Sequence, residues 1–411
     1  MNLPPSTDQH FRGGPATRSP VLERLEKTSL LVGGLFLLVL AAGFALDRAQ
    51  FFRSYLFGFL FWVGIGVGCL GLAMLNHLTG GLWGLVPRRF HEAAARTLPV
   101  MGLLFVPVVL GASSIYVWAR PEVVAADALL QKKDLYLNLP FFTARAVFYF
   151  AVWGLLAWRV SSWSRRQDAG ADPGRAARLR GVSAVGLVLL SLTTTFAAVD
   201  WGMSLAPHWY STIYGVLFIV GWTLSALAFT IILLSRLSGE EPFTRALQPV
   251  TVHDLGKLLL AFTMLWGYVN FSQFLIVWSG NISEETPFFL RRLQGGWQVV
   301  AVALLVFHFA LPFALLLSRP LKRSARALGA VAALMLAMQL VDLYWVIGPD
   351  LVGHGHEDAP LRVHWMDLAA VLGLGGLWLH LFAREARTAP VLPEGEPQVR
   401  ALLAAAPAKA H

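Results

Sequence analysis

Four pairs of polar or ionisable residues stand three positions apart within or at the ends of apolar stretches: Asp254/Lys257, Asn270/Gln273, Gln339/Asp342 and His364/Asp367. That spacing puts both members of a pair on one helix face, where they can front a common cavity. Polar groups at membrane depth are costly, so they face protein or a wet cavity and by default suggest function. A buried carboxylate beside a buried imidazole is a plausible proton relay. Interhelical hydrogen bonds that fix helix register account for the same residues without chemistry, and Asp254 and Lys257 can also snorkel to the headgroups.

Other candidates extend the pattern through the bilayer. His77 lies near the cytoplasmic end of its helix, level with Asp254 and Lys257. His308 sits near mid-depth, roughly 18 Å from the outer end of its helix at the α-helical rise. Asp342 and Asp200 lie toward the outer side, with His208 in the loop after Asp200. These six ionisable positions, His77, Asp200, Asp254, Lys257, His308 and Asp342, make a hypothetical proton path. His208, Asn270 and Arg292 add hydrogen-bonding groups near the outer interface. No catalytic or metal residue is assigned. The exterior run HGHED from His354 to Asp358 has ligand-type side chains but no defined tetrahedral spacing. His77, His308 and His380 stand alone on their helices, which disfavours a b-type haem. The single cysteine, Cys69, excludes an intrachain disulfide, an iron–sulfur cluster and covalent c-type haem attachment by this chain alone.

The elements that must position these residues are membrane helices. Of 411 residues, 56% are hydrophobic and 14% charged, well below the roughly 25% charged of soluble domains. The apolar residues come in runs long enough to span a bilayer, not in the alternating segments of a β-barrel. The fold class is an all-α integral membrane protein with ten spans, about 28–46, 51–78, 97–118, 141–161, 181–200, 211–235, 254–278, 296–318, 325–347 and 363–382. Residues 1–27 are expected to be a polar, poorly ordered tail, the first span an uncleaved anchor, and 384–411 a second tail. The segment 120–140 is too polar to span; it is either a short surface helix starting at Pro121 or a cap on the bundle. Glycines at 58, 64, 66, 68 and 71 predict a second span packed on several sides.

Arginines concentrate in alternate connections: Arg88, Arg89 and Arg96; Arg159 to Arg180; Arg236 and Arg245; Arg319 to Arg326. The opposite connections hold Glu284, Glu285, Asp350, Glu357 and Asp358. The positive-inside rule then places both termini in the cytoplasm, and it explains the net charge of +9 without nucleic-acid binding.

The stretches at 54–84 and 92–99 resemble the first bundle of the membrane subunits of alternative complex III, the bacterial quinol:cytochrome c oxidoreductase, which are related to the NrfD/polysulfide-reductase membrane anchors. YLNLPFFTARAVFYFAVWGLLAW (136–158), VDWGMSLAPHWYSTIYG (199–215) and SQFLIVWSGNISEETPFFLRRLQGGW (272–297) are similar, more specifically, to its F subunit. The resemblance covers about residues 28–350. It implies two four-helix bundles, spans 2–5 and 6–9, with spans 1 and 10 peripheral, in the bacterial inner membrane. It implies partners as well: a sister NrfD-like membrane subunit, an iron–sulfur subunit and c-type haem subunits, alongside membrane lipid and quinone. The expected function is an accessory subunit of a quinol-oxidising complex, contributing a quinone-contact surface and a proton path but holding no redox cofactor of its own. In that setting His208, Asn270 and Arg292 are candidate donors to a quinone headgroup near the outer interface, and Glu284, Glu285 and Arg291 candidate partner contacts. A purely structural scaffold for the redox subunits is the main alternative, and a secondary transporter a weaker one, since span 7 holds Gly267 but no proline to break it.

Overall fold

The computed structural model describes residues 19–168, 173–353 and 360–404. Among the described residues there are ten helices long and apolar enough to cross a membrane, and no strand. They are α1 (Pro20–Leu46), α2 (Arg48–Thr79), α3 (Arg88–Leu110), α4 (Leu139–Gln167), α5 (Ala176–Leu205), α6 (Tyr214–Leu237), α7 (Pro249–Gly280), α8 (Trp297–Leu317), α9 (Ala325–Leu351) and α10 (Trp365–Ala386). The chain is a multi-pass membrane protein. The start of α1, the end of α10 and the arginine-rich connections share one end of the bundle, the terminal face, opposite the far face.

Two boundaries depart from expectation for local reasons. α1 begins at Pro20, well inside the expected 1–27 tail. Ser19 caps it by accepting the Leu22 N–H at 3.3 Å, Pro20 occupies the first turn, and the Glu240 carboxylate accepts the Val21 N–H at 3.1 Å. Such a cap plus an N1 proline is a strong helix start. α3 begins at Arg88, not near 97, because its charges are neutralised within the protein. Arg89 pairs with Glu92 at 2.6 Å and with Asp168, and Arg88 pairs with Glu396 at 2.6 Å. Pro99 and Pro107 then break α3 into short helical pieces, since each removes a backbone donor.

α2 forms the centre. It packs against α3, α4, α5, α6, α9 and α10. Small residues permit this: a Cβ at Gly64 would lie 2.2 Å from the Trp222 ring, and one at Gly68 2.3 Å from the Trp222 carbonyl oxygen. The α2 backbone therefore meets both the side chain and the backbone of α6, across the line that would separate the two expected bundles. α1 is peripheral and packs along α10. α10 is not peripheral: it lies between α1 and α2, with Ala370, Leu374, Trp378 and Phe382 fully or almost fully buried.

The segment 120–140 folds as a cap on the far face. It forms two short helices, Pro121–Ala126 and Ala128–Lys133, with Leu130 buried and Asp127 bonded to His208 at 2.6 Å. The expected C-terminal tail is in part ordered too: α10 extends to Ala386, Val391 and Leu392 are buried, and the helix Pro397–Ala404 buries Val399 on the terminal face.

Candidate functional site

α8 does not stay α-helical. Its middle, Leu304–Ala310, is a π-helical turn in which the Leu311 N–H bonds the Val306 carbonyl five residues back. Pro312 follows directly, and its missing N–H leaves the His308 carbonyl without its usual i+4 donor. A π-turn here accommodates that loss and re-aims His308 inward; such turns recur at functional sites.

His308 is fully buried and its ring stacks on Trp266 of α7, centroids 4.1 Å apart and planes 14° from parallel. Gln339 of α9 places its Nε2 3.1 Å from His308 Nε2. An amide nitrogen only donates, so the imidazole accepts there and carries its proton on Nδ1. That Nδ1 has no hydrogen-bond partner among the described residues. One α9 turn further on, Asp342 accepts the Trp266 Nε1–H at 3.1 Å through Oδ2. Its Oδ1 is buried and likewise without a partner among the described residues. Trp266, His308, Gln339 and Asp342 are thus one cluster joining α7, α8 and α9.

Beside it lies a cavity of about 800 Å³ between α7 and α8. The two helices pack chiefly over Leu311–Leu317 and part toward the far face. The cavity walls are apolar and aromatic, including Phe271, Phe274, Phe289, Leu305 and Phe309, while Asn270, Gln273, Gln298 and Asp342 supply its polar groups. Tyr268, Phe271, Val302 and Leu305 along its rim are exposed apolar or amphipathic residues, so the cavity opens sideways, toward lipid. Asn270 is fixed by donating to the Trp266 carbonyl at 3.0 Å, and Gln273 by donating to Ser211 at 3.5 Å.

Of the residues proposed for a proton path, His308 and Asp342 meet in the buried cluster, through Trp266, and the other four lie outside it. Asp254 and Lys257 pair with each other at 3.0 Å on the surface of α7, with Lys257 exposed. His77 sits at the terminal end of α2, its buried Nε2 without a hydrogen-bond partner among the described residues. Asp200 belongs to a closed charge cluster on α4 and α5. Arg145 donates to both its oxygens at 2.8 and 2.9 Å, and Tyr149 donates at 2.7 Å. Every strong acceptor position of Asp200 is occupied.

Of the headgroup candidates, Asn270 lines the cavity and the other two do not. His208 is an exposed surface partner of Asp127. The Asp127 carboxyl is held below the usual carboxylate range, chiefly by the Leu130 backbone N–H, with the Leu129 N–H and His208 adding to it. Arg292 is fully buried with its donors committed: to the Trp345 carbonyl at 3.1 Å, the Phe288 carbonyl at 2.8 Å, the Val346 carbonyl, and Asp350 at 2.6 Å. Pro349 explains this arrangement, because within α9 it leaves the Trp345 carbonyl without its i+4 donor. Burial lowers the Arg292 pKa and the Asp350 carboxylate opposes that shift. Arg291 is drawn to the same carboxylate at 2.9 Å. Glu284 remains exposed, and the Glu285 carbonyl accepts the Trp209 indole N–H at 3.2 Å. The His364/Asp367 pair is a capping box at the start of α10. The HGHED run lies outside the described residues.

Gln273 and Gln339 stand in the site as members of the pairs read from the sequence, and Trp266 is the site residue that reading did not name. Trp266, Asn270 and Gln273 stand at i, i+4 and i+7, one helix face, so the signal was present in the spacing.

Comparison with known families and with curated proteins finds no family model and no curated protein that matches this chain.

Proposed function

We propose that this chain is an accessory integral membrane subunit of a bacterial quinol:cytochrome c-type oxidoreductase of the alternative complex III kind. In this reading both termini are cytoplasmic, and the cavity between α7 and α8 takes a quinone from the membrane. Its partners would be a sister NrfD-like membrane subunit, an iron–sulfur subunit and c-type haem subunits docked on the far face. The observation that carries the reading is the lateral cavity itself. Its apolar aromatic walls suit an isoprenoid quinone ring, its opening faces lipid, and its few polar groups, Asn270, Gln273 and Asp342, can orient a carbonyl or hydroxyl.

The resemblance of 199–215 and 272–297 to the F subunit supports the same assignment, because 272–297 supplies Gln273, Phe274, Phe288, Phe289 and Leu293 to the cavity wall. A short-chain quinone should quench the intrinsic fluorescence of the purified chain saturably, through Trp266 and Trp345 at the cavity. Asn270→Leu combined with Gln273→Leu removes two hydrogen-bonding groups, each worth about 1–1.5 kcal/mol, and should weaken binding by roughly tenfold or more. Saturable quenching that is unchanged in the double variant would remove the cavity from the reading.

The scaffold reading draws on a different observation: Arg145–Asp200 and Arg292–Asp350 are buried, closed ion pairs that tie elements together. They account for the far-face charges without chemistry but leave the cavity unexplained.

A further inference from the structure

Behind the lateral cavity lies a second, much smaller one. It measures about 30 Å³ and is lined by residues of α2, α6, α7 and α9, with Gly221, Ser225, Asn270, Gln339 and Asp342 among them. Asn270 and Asp342 border both spaces. A chamber of that size holds about one water, provided two to four polar groups surround it. Here they do: the Ser225 hydroxyl, the Asn270 amide, the Gln339 carbonyl oxygen and the Asp342 carboxyl. Asp342 is 8% exposed, and its Oδ1 is buried without a partner among the described residues. Ser225 already reaches Gln339 Oε1 at 3.4 Å, so the chamber's polar atoms are mutually oriented.

We propose that this inner chamber binds one water, which donates to Asp342 Oδ1 and to Gln339 Oε1 and so links the wall of the lateral cavity to the buried imidazole of His308. The links on either side of the water are direct. Trp266 donates to Asp342 on one side, and Gln339 bonds His308 on the other. With the water in place, Trp266, Asp342, the water, Gln339 and His308 form a closed polar ring that the Trp266–His308 stack completes. The water gives Asp342 Oδ1 the partner it otherwise lacks, while His308 Nδ1 stays outside the ring. It also makes Asp342 the residue that a cavity ligand and an interior water touch from opposite sides. The water site depends only on this chain's geometry; its contact with a ligand rests on the quinone reading above.

Gly221 provides a selective test. A Cβ there would sit 3.0 Å from Gln339 Oε1, with no other residue's backbone atom among its nearest contacts, so Gly221→Ala fills the chamber while leaving the fold and lateral cavity in place. The full chain in nanodiscs, wild type and Gly221→Ala, is taken to a resolution that shows ordered water. Quenching by a short-chain quinone is measured on the same preparations. The expected result is one water peak within hydrogen-bond distance of Asp342 Oδ1 in the wild type and none in the variant, with quinone affinity changed by no more than about threefold. A dry chamber in the wild type overturns the proposal, and so does a peak that persists unmoved in Gly221→Ala. Absence of quenching in both proteins, with the water present, overturns the quinone reading and leaves the water site standing.

Discussion

Two carboxylates on neighbouring helices show how differently one residue type is used. Asp200 is saturated by Arg145 and Tyr149, whereas Asp342 meets one indole N–H and a small polar chamber. The first is held by three hydrogen bonds, while the second keeps one buried oxygen without a partner among the described residues. Arg145 also stacks over Tyr136 at 3.8 Å, so its plane is held from both sides. Replacing it strands a buried charge, which costs about 3–5 kcal/mol. Arg145→Leu should therefore lower the thermal stability of the detergent-solubilised protein sharply, while the double variant Arg145→Leu with Asp200→Leu recovers most of it. Equal stability of the single variant and wild type would show the pair to be dispensable. At this scale the sequence was a partial guide. It marked Asp200 and Asp342 alike, because the difference lies in what other helices bring to them. Arg292 looked like a headgroup donor for the same reason: only the folded chain reveals that a proline-freed carbonyl on α9 already uses it.

Helix interruptions do most of the positioning. Pro312 accompanies the π-turn that turns His308 onto Trp266, and Pro349 accompanies the carbonyl that captures Arg292. Both prolines are legible in the sequence, yet their consequences are not, since a lost i→i−4 bond can end in a kink, a π-turn or a side-chain donor. Pro312→Ala restores the missing N–H and allows α8 to rewind as a regular helix. Rewinding by one residue rotates the preceding turn by about 100° and would carry His308 off the Trp266 face. The expected outcome is a shift of tryptophan fluorescence and loss of protection of the His308 ring from modification, with the chain still folded. Spectra and protection identical to wild type would mean that packing of α7 and α9, not the proline, holds the π-turn. Helix starts were legible where caps are local, as at Asp47, Asn138 and His364. They were misjudged at α1 and α3, where Glu240, Asp168 and Glu396 arrive from elsewhere, and Glu92 from one turn further along α3, to neutralise or cap residues that look too polar to belong to a span.

Across the whole molecule, apolar run length carried the ten membrane-length helices, and the α2 glycines foretold a helix packed on several sides. The lateral cavity was not legible, because it is defined by where α7 and α8 separate, a property of packing with no signature in either helix alone. What the sequence did contain was the face Trp266–Asn270–Gln273 and the pair Gln339/Asp342, whose meeting only the fold supplies. The proposed function stands on that meeting, and photo-crosslinking tests it most directly. A photoreactive quinone analogue is irradiated with the full chain in native-lipid nanodiscs, and labelled residues are mapped by mass spectrometry with and without competing quinone. The account predicts competable labelling confined to the walls of the α7–α8 cavity, around Asn270–Phe274 and Ala301–Leu305. Competable labelling elsewhere, with those segments unlabelled, would contradict it.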